Sequence, residues 1–269
     1  MGLVKRLLGG GGGSISLPSA RAPWLYRLLL RAFRLVGRGA LGLQLELRGA
    51  ENLPRDPQGA PAGGWIGAGL PHRTWIDPFV LADLLPVEPR LIFIGDGRAI
   101  HRSPLRRLVF RLIGGVVPIW PGSGPAAFAS HLRAVASVIE TGAVLVIFPE
   151  VGLAVAVERA RPLGKGVAYF ALRTGATIVP LVLGGTHELF RGRRIVLEVL
   201  PPLTAGELAR VAPGEGLPEP DTAAERAIVK QMTSHLHELS ATAVARVHRD
   251  AEPPPDTPRR GRWLTRLFH

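Results

Sequence analysis

Apolar residues along this chain fall into short runs broken by Gly, Pro and Asp, and the period changes from run to run. "LGLQLELRG" places Leu41, Leu43, Leu45 and Leu47 at every second position, the period of a strand with one buried face. "WIGAGL", "RLIFIG", "VVPIW", "AVLVIFP", "ATIVPLVLG" and "RRIVLEVL" are short and mostly apolar, which suits strands covered on both faces. Between them lie longer stretches of helical period. "HRTWIDPFVLADLL" turns into a helix at Asp77-Pro78, where Pro suits the first turn. "SPLRRLVFRLIGG" reads as a helix from Ser103-Pro104 to Gly114, "PAAFASHLRAVASVIETG" as another, and "LGKGVAYFALRTG" as a third, closed by Gly175.

The two ends differ from this middle. "APWLYRLLLRAFRLVGRG" carries Arg27, Arg31, Arg34 and Arg38 at helical spacing, with Leu25, Leu28, Leu29, Phe33, Leu35 and Val36 between them. This is an amphipathic helix with a basic stripe. It fits either an anionic membrane interface or a domain surface with the arginines outward. "DTAAERAIVKQMTSHLHELSATAVARVH" reads as one long helix, with Thr222 and Glu225 at capping-box spacing. The tail "RRGRWLTRLFH" sets Trp263, Leu264, Leu267 and Phe268 among basic residues after a Pro-rich linker, a composition that suits interfacial anchoring.

Strands alternating with helices predict an α/β fold, a mostly parallel β-sheet covered by helices on both faces, with an N-terminal amphipathic helix and a C-terminal helix. The expected organisation is a flexible leader at 1–20, the amphipathic helix at 21–40 and an α/β domain at 41–203. A linker at 204–220, the long helix at 221–249 and a Pro-rich linker with the basic-aromatic tail at 250–269 complete it.

Composition narrows the partners. At 269 residues the chain can bury a core without staples. It has no Cys, which removes disulfides, thiolate metal sites and cysteine nucleophiles, and with them a disulfide-stapled secreted protein. Net charge is +12, supplied almost wholly by arginine, since Lys5, Lys165 and Lys230 are the only lysines. Such charge draws the chain to polyanions. The basic residues sit on apolar-faced helices and the tail, with no zinc-finger, RNP-like or helix-turn-helix pattern. Lipid headgroups are therefore expected as the partner, and nucleic acid is not. No stretch of about 18 apolar residues offers a spanning helix. Glycines break the start "MGLVKRLLGGGGGSIS", so a cleaved signal peptide is not expected, and Arg6 spoils a myristoylation pattern.

Candidate chemistry begins at "GLPHRTWIDPF". Eight His and seven Asp placed independently give about 0.2 His-x4-Asp pairs, so the spacing gains its weight from context. His72 directly follows a buried run, where α/β sheets carry functional groups. Asp77 can fold back to one ring nitrogen and leave the other basic, an arrangement that removes a proton from a hydroxyl. "VIFPEVG" puts Glu150 after a second buried run, and Lys165 opens a helix, a place that suits anions. No Gly-x-Ser-x-Gly elbow accompanies His72, so a serine triad is not supported.

In order and spacing, "GAENLP", the short run before His-x4-Asp-Pro, the run before Phe148-Pro149-Glu150, Lys165-Gly166 and "TGATIVPLVL" together resemble the lysophospholipid acyltransferase family, the PlsC-like glycerophospholipid acyltransferases. The resemblance spans about residues 49–202. It implies transfer of an acyl chain from acyl-CoA or acyl-carrier protein to a hydroxyl of a lysophospholipid or related lipid, with His72 as general base and Asp77 orienting it. The implied chemistry needs no metal and no cofactor beyond the acyl donor. Glu150 is expected to position the acceptor or support the His72 loop. The resemblance also implies a peripheral or monotopic enzyme on the cytoplasmic face of a membrane. Departures accompany it: Pro71 precedes His72 where the family usually has Asn, and Pro121 and Leu153 stand where it usually has Arg. Arg98, Arg102, Arg159, Arg161 and Lys165 are the candidates for replacing those phosphate or donor contacts. Otherwise the acceptor is a phosphate-free lipid or glycolipid, or the chain is a non-catalytic lipid-binding member.

Overall fold

The computed structural model describes residues 20–98, 115–120, 124–150, 162–211, 218, 222–258, 260–261 and 265. Outside them lie the helix expected over 103–114, Arg102, Pro121, Leu153, Arg159, Arg161, most of the leader, and Trp263, Leu264, Leu267 and Phe268 of the tail.

Seven strands form one sheet: β1 (Gln44–Arg48), β2 (Ile66–Leu70), β3 (Leu91–Asp96), β4 (Val116–Ile119), β5 (Val144–Ile147), β6 (Ile178–Gly184) and β7 (Arg194–Val199). Their order is β1-β7-β6-β2-β5-β3-β4. Every pairing is parallel except β6 with β7. The described helices are α1 (Trp24–Arg34, continued by a π turn over Leu35–Ala40), α2 (Asp77–Leu84), α3 (Gly124–Glu140), α4 (Gly166–Thr174), α5 (Ala205–Ala209) and α6 (Ala223–Ala251).

Alternation along the strands divides the core into two layers. Leu91, Phe93, Val144, Val146, Val179, Leu181, Ile195 and Leu197 face α1 and α2, meeting Tyr26, Leu30, Val80 and Leu81. Ile92, Leu145, Ile147 and Ile178 face the other way, onto Val135 and Val138 of α3, Val167 and Ala171 of α4, and Val229, Met232 and Leu236 of α6. Toward its end α6 covers Val182 and Val196 with Val244 and Val247. The expected two-sided cover is present. Of the period-two leucines, Leu45 and Leu47 lie on the edge strand β1, packed on the α1–α2 layer, whereas Leu41 and Leu43 precede it.

Two elements depart from expectation, the 204–220 stretch and α1. Residues 204–220, read as linker, hold the short helix α5; Thr204 and Glu207 close a capping box there, a signal of the same kind as the one noticed at Thr222. At the start of α6, Thr222 accepts the Glu225 N–H, and the Glu225 carboxylate takes the Arg173 guanidinium of α4, pinning two helices of one layer together. The larger departure is α1. Its arginine stripe stays largely exposed, yet three of the four arginines turn to acids of the domain. Arg27 pairs with Glu88, and Arg34 and Arg38 both pair with Asp83, whose side chain is fully buried. Trp24, Leu28, Leu29, Leu35 and Val36 are left exposed.

Candidate active site

Because β2, β3, β4, β5 and β6 run parallel, the loops that follow them leave from one edge of the sheet. His72 follows β2, Gly97 and Arg98 follow β3, Trp120 follows β4, Phe148 and Glu150 follow β5, and His187 follows β6. Residues far apart in sequence therefore meet at this edge, where α/β sheets place their ligands.

The loop 71–76 carries His72 and ends in the first turn of α2, which begins at Asp77 with Pro78 behind it. A carboxylate here sits against the positive end of the helix dipole. Asp77 is fully buried, which is costly for a charge unless donors surround it. They do. Its Oδ2 accepts the backbone N–H groups of Arg73 at 2.8 Å and Thr74 at 2.9 Å, and Oδ1 accepts the Thr74 hydroxyl at 3.2 Å. His72 Nδ1 lies 2.8 Å from the same Oδ2. With two N–H groups already donating to that oxygen, the imidazole nitrogen must donate too, and in the neutral ring the lone pair falls on Nε2. The His72 side chain is about a quarter exposed, so a reactant can reach the imidazole while its orienting acid stays dry.

Two further contacts fix the ring and its backbone. The His72 imidazole stacks on Phe148, with centroids 4.2 Å apart and planes 21° apart, and Phe148 stacks in turn on Phe93. Gly69 makes room for this: a Cβ there would lie 2.6 Å from the Phe148 ring. That close approach gives "WIGAGL" its second glycine. Glu150, also buried, accepts the His72 backbone N–H at 2.9 Å through Oε2. Since β5 is the hydrogen-bonded neighbour of β2, the Phe-Pro-Glu segment leaves its strand directly beside the His72 loop.

The structure thus unites His72, Asp77 and Glu150. Lys165 is the N-cap of α4, following Leu163 and Gly164, whose backbone bonds to Glu150 and Pro149, and it lines a cavity of about 190 Å³ with Tyr169, Phe170, Glu225, Arg226 and Val229. Arg98 is exposed at the end of β3, its backbone N–H on Asp96 Oδ1. Sequence reasoning missed Thr74, Gly69 and the ring stack. Thr74 had a local signal, a hydroxyl three residues before an acid that opens a helix. The stack had none, because Phe93, Phe148 and His72 meet only when three strands are side by side. Trp120 was also missed as a site residue; it is about one-third exposed and packs over Gly97, where a Cβ would lie 2.7 Å from the indole.

The loop of His72 is also joined to the exposed helix. Trp75, nearly half exposed, meets Phe79 of α2 edge-on at 5.9 Å, and Phe79 stacks on Phe33 of α1 at 5.8 Å.

Comparison with known proteins adds two findings. The acyltransferase family model matches residues 44–184, more than half of the chain; the stretch runs from β1 to the end of β6 and contains His72, Asp77 and Glu150. Among solved structures, the chain is similar to the 1-acyl-sn-glycerophosphate (LPA) acyltransferase PlsC from Thermotoga maritima, with 17% identity and a TM-score of 0.50 over 78% of this chain and 80% of that one. At that identity the likeness is one of fold.

Proposed function

We propose, from the premise that this chain belongs to the acyltransferase family, that it moves an acyl chain from acyl-CoA or acyl-carrier protein to the hydroxyl of a lysophospholipid, with His72 as general base. The observation that carries this reading is the His72 Nδ1–Asp77 contact of 2.8 Å, with Asp77 buried and satisfied by neighbouring donors. It leaves one nitrogen, Nε2, to take the acceptor's proton. As that proton moves, the hydroxyl oxygen attacks the thioester carbonyl. The tetrahedral oxyanion then collapses with loss of the thiolate, which takes the proton back from His72. An ester and a free thiol result. Asp77 holds the imidazole in the productive tautomer and stabilises the imidazolium between the two proton transfers. Glu150 holds the His72 backbone, and so the direction of Nε2.

Attachment to a membrane surface is supported by the exposed apolar face of α1 and by the ring contacts from Phe33 through Phe79 to Trp75. Among the described residues no helix is long and apolar enough to cross a membrane, which fits an enzyme that takes lipid from one leaflet. A phosphate-free acceptor is the second reading, favoured by one observation: Trp120, an exposed indole, covers the end of β3 at the site edge.

The test is acyl transfer on liposomes with acyl-CoA and acyl-carrier protein as donors, and lysophosphatidate and phosphate-free hydroxyl lipids as acceptors. His72-dependent ester formation on lysophosphatidate is the expected result. Transfer confined to phosphate-free acceptors would select the second reading. Equal activity in His72→Ala would overturn the role of the base.

A further inference from the structure

A second cluster of ionisable side chains lies beyond β6. His187 is on the loop after that strand, His248 is in the last turn of α6 and Glu252 is the residue that caps it. His248 and Glu252 are four apart across the helix end, close enough for their side chains to meet. Glu252 Oε1 is 3.2 Å from His187 Nε2 and 3.6 Å from His248 Nε2, and the three groups' ligand atoms all lie within 4.8 Å of one another. The two imidazole rings are 5.2 Å apart and tilted by 58°. We propose that His187, His248 and Glu252 bind one divalent transition-metal cation of zinc's class, which ties the end of α6 to the loop after β6.

Three arguments carry this. The first is spacing. Zinc bonds of 2.0–2.1 Å at tetrahedral angles put neighbouring ligand atoms about 3.3 Å apart, and the distances from Oε1 to the two nitrogens bracket that value. The second is chemistry. Two imidazoles and a carboxylate suit zinc and its neighbours in the transition series, whereas magnesium and calcium prefer sites built from oxygen. Glu252 is about one-third exposed, so a fourth position is open to water. The third is position. The cation would sit at the carbonyl end of a 29-residue helix, where the helix dipole favours positive charge.

Two buried arginines, Arg193 and Arg73, oppose positive charge here, and Arg193 is in contact with the cluster. Its guanidinium is fully buried, donates from Nε to the Gly185 carbonyl and reaches Glu252 Oε1 at 3.4 Å through Nη2. That charge weakens cation binding, but the contact is also the outer hydrogen bond that ligating carboxylates commonly receive. A site of modest affinity follows, one that braces the fold beside the catalytic edge and takes no part in proton transfer. The proposal stands or falls independently of the acyl-transfer reading.

The test uses the untagged full chain, stripped with a chelator and then freed of it. Zn²⁺, Co²⁺ and Mg²⁺ are titrated by calorimetry, and Co²⁺ also by visible absorption. Expected are one Zn²⁺ per chain, Co²⁺ bands of a four-coordinate site, no saturable Mg²⁺ uptake and a Zn²⁺-dependent rise in Tm. Affinity should fall at least about tenfold in His187→Ala and His248→Ala, and stay unchanged in His235→Ala, which lies outside the cluster. Failure of wild-type protein to take up Zn²⁺ saturably would overturn the proposal, as would equal Mg²⁺ binding or equal Zn²⁺ affinity in the His187 and His248 variants. If His187→Ala does not fold, the wild-type titration and His248→Ala decide the matter.

Discussion

At the scale of single residues, the site separates one residue that reacts from several that hold it. His72→Ala should lower kcat by about 10²–10⁴-fold with little change in Tm, since the ring is partly exposed and its loss leaves Asp77 with its backbone donors. Asp77→Asn should lower kcat and stability together. An amide would aim a donor at groups that are themselves donors, or lose one acceptor, at about 1–3 kcal/mol. Glu150 can be separated from catalysis by chemistry. In Glu150→Gln the amide oxygen still accepts the His72 N–H, so substantial activity should remain. In Glu150→Ala that N–H loses its partner, and kcat and Tm should both fall. Steady-state kinetics beside thermal melts would check all four variants, and equal damage from both Glu150 substitutions would show that the negative charge itself is needed. His72 and Asp77 were legible as a pair because both partners lie in one short loop. For Glu150 the sequence left two roles open, acceptor positioning or support of the His72 loop, and the hydrogen bond to the His72 backbone became visible only with β5 beside β2.

At the scale of elements, α1 shows how an amphipathic pattern can be read inside out. Helical spacing correctly grouped the four arginines on one stripe. It could not say that acids lay beneath them, because Asp83 and Glu88 are some fifty residues away in the chain. Three of the arginines reach acids of the domain, and Leu28, Leu29 and Leu35 are left outward. Leu28→Glu with Leu35→Glu should therefore sharply reduce co-sedimentation with anionic liposomes while Tm changes little, since both side chains are exposed. Asp83→Ala should do the reverse. It strips Arg34 and Arg38 of their partner and should cost about 1–2 kcal/mol, read as a lower denaturant midpoint. If the double Glu variant melts early instead, the face is packing surface and not a lipid contact.

At the scale of the whole molecule, the parallel block of β2 to β6 gathers the ends of five strands, and burial at that edge affects titration. His187 is held down to about 4, first by burial, then by Arg193, His248 and Arg73, against Glu188; Glu252 beside it is shared with Arg193. Its ordinary value is 6.5, so the unfolded chain takes up a proton before the folded one does. The stability tied to this residue is full above pH 6.5 and is lost as pH falls toward 4, amounting to at most about 3 kcal/mol. Urea melts with chelator present should show the midpoint falling between pH 7 and pH 5, and His187→Gln should flatten that dependence. An unchanged slope would mean the ring is protonated in the folded state.

Local order was the sequence's to determine. The runs that became strands, Pro78 opening a helix, Gly175 closing one and the His-x4-Asp loop all depend on neighbours within a few residues, and so does the alternation that sorts Leu91 and Phe93 from Ile92. Even α5 was within reach, since its capping box is local. Adjacency was decided by the tertiary structure. Strand order sets β5 and not β3 next to β2, and so puts Phe148 under the imidazole, Glu150 on its backbone and Gly69 where a side chain would clash. The same holds for Asp83 beneath the arginines of α1 and for Glu252 between two histidines. Apart from His248 and Glu252, such contacts join residues tens of positions apart, and no period or spacing along the chain carries their distance in space.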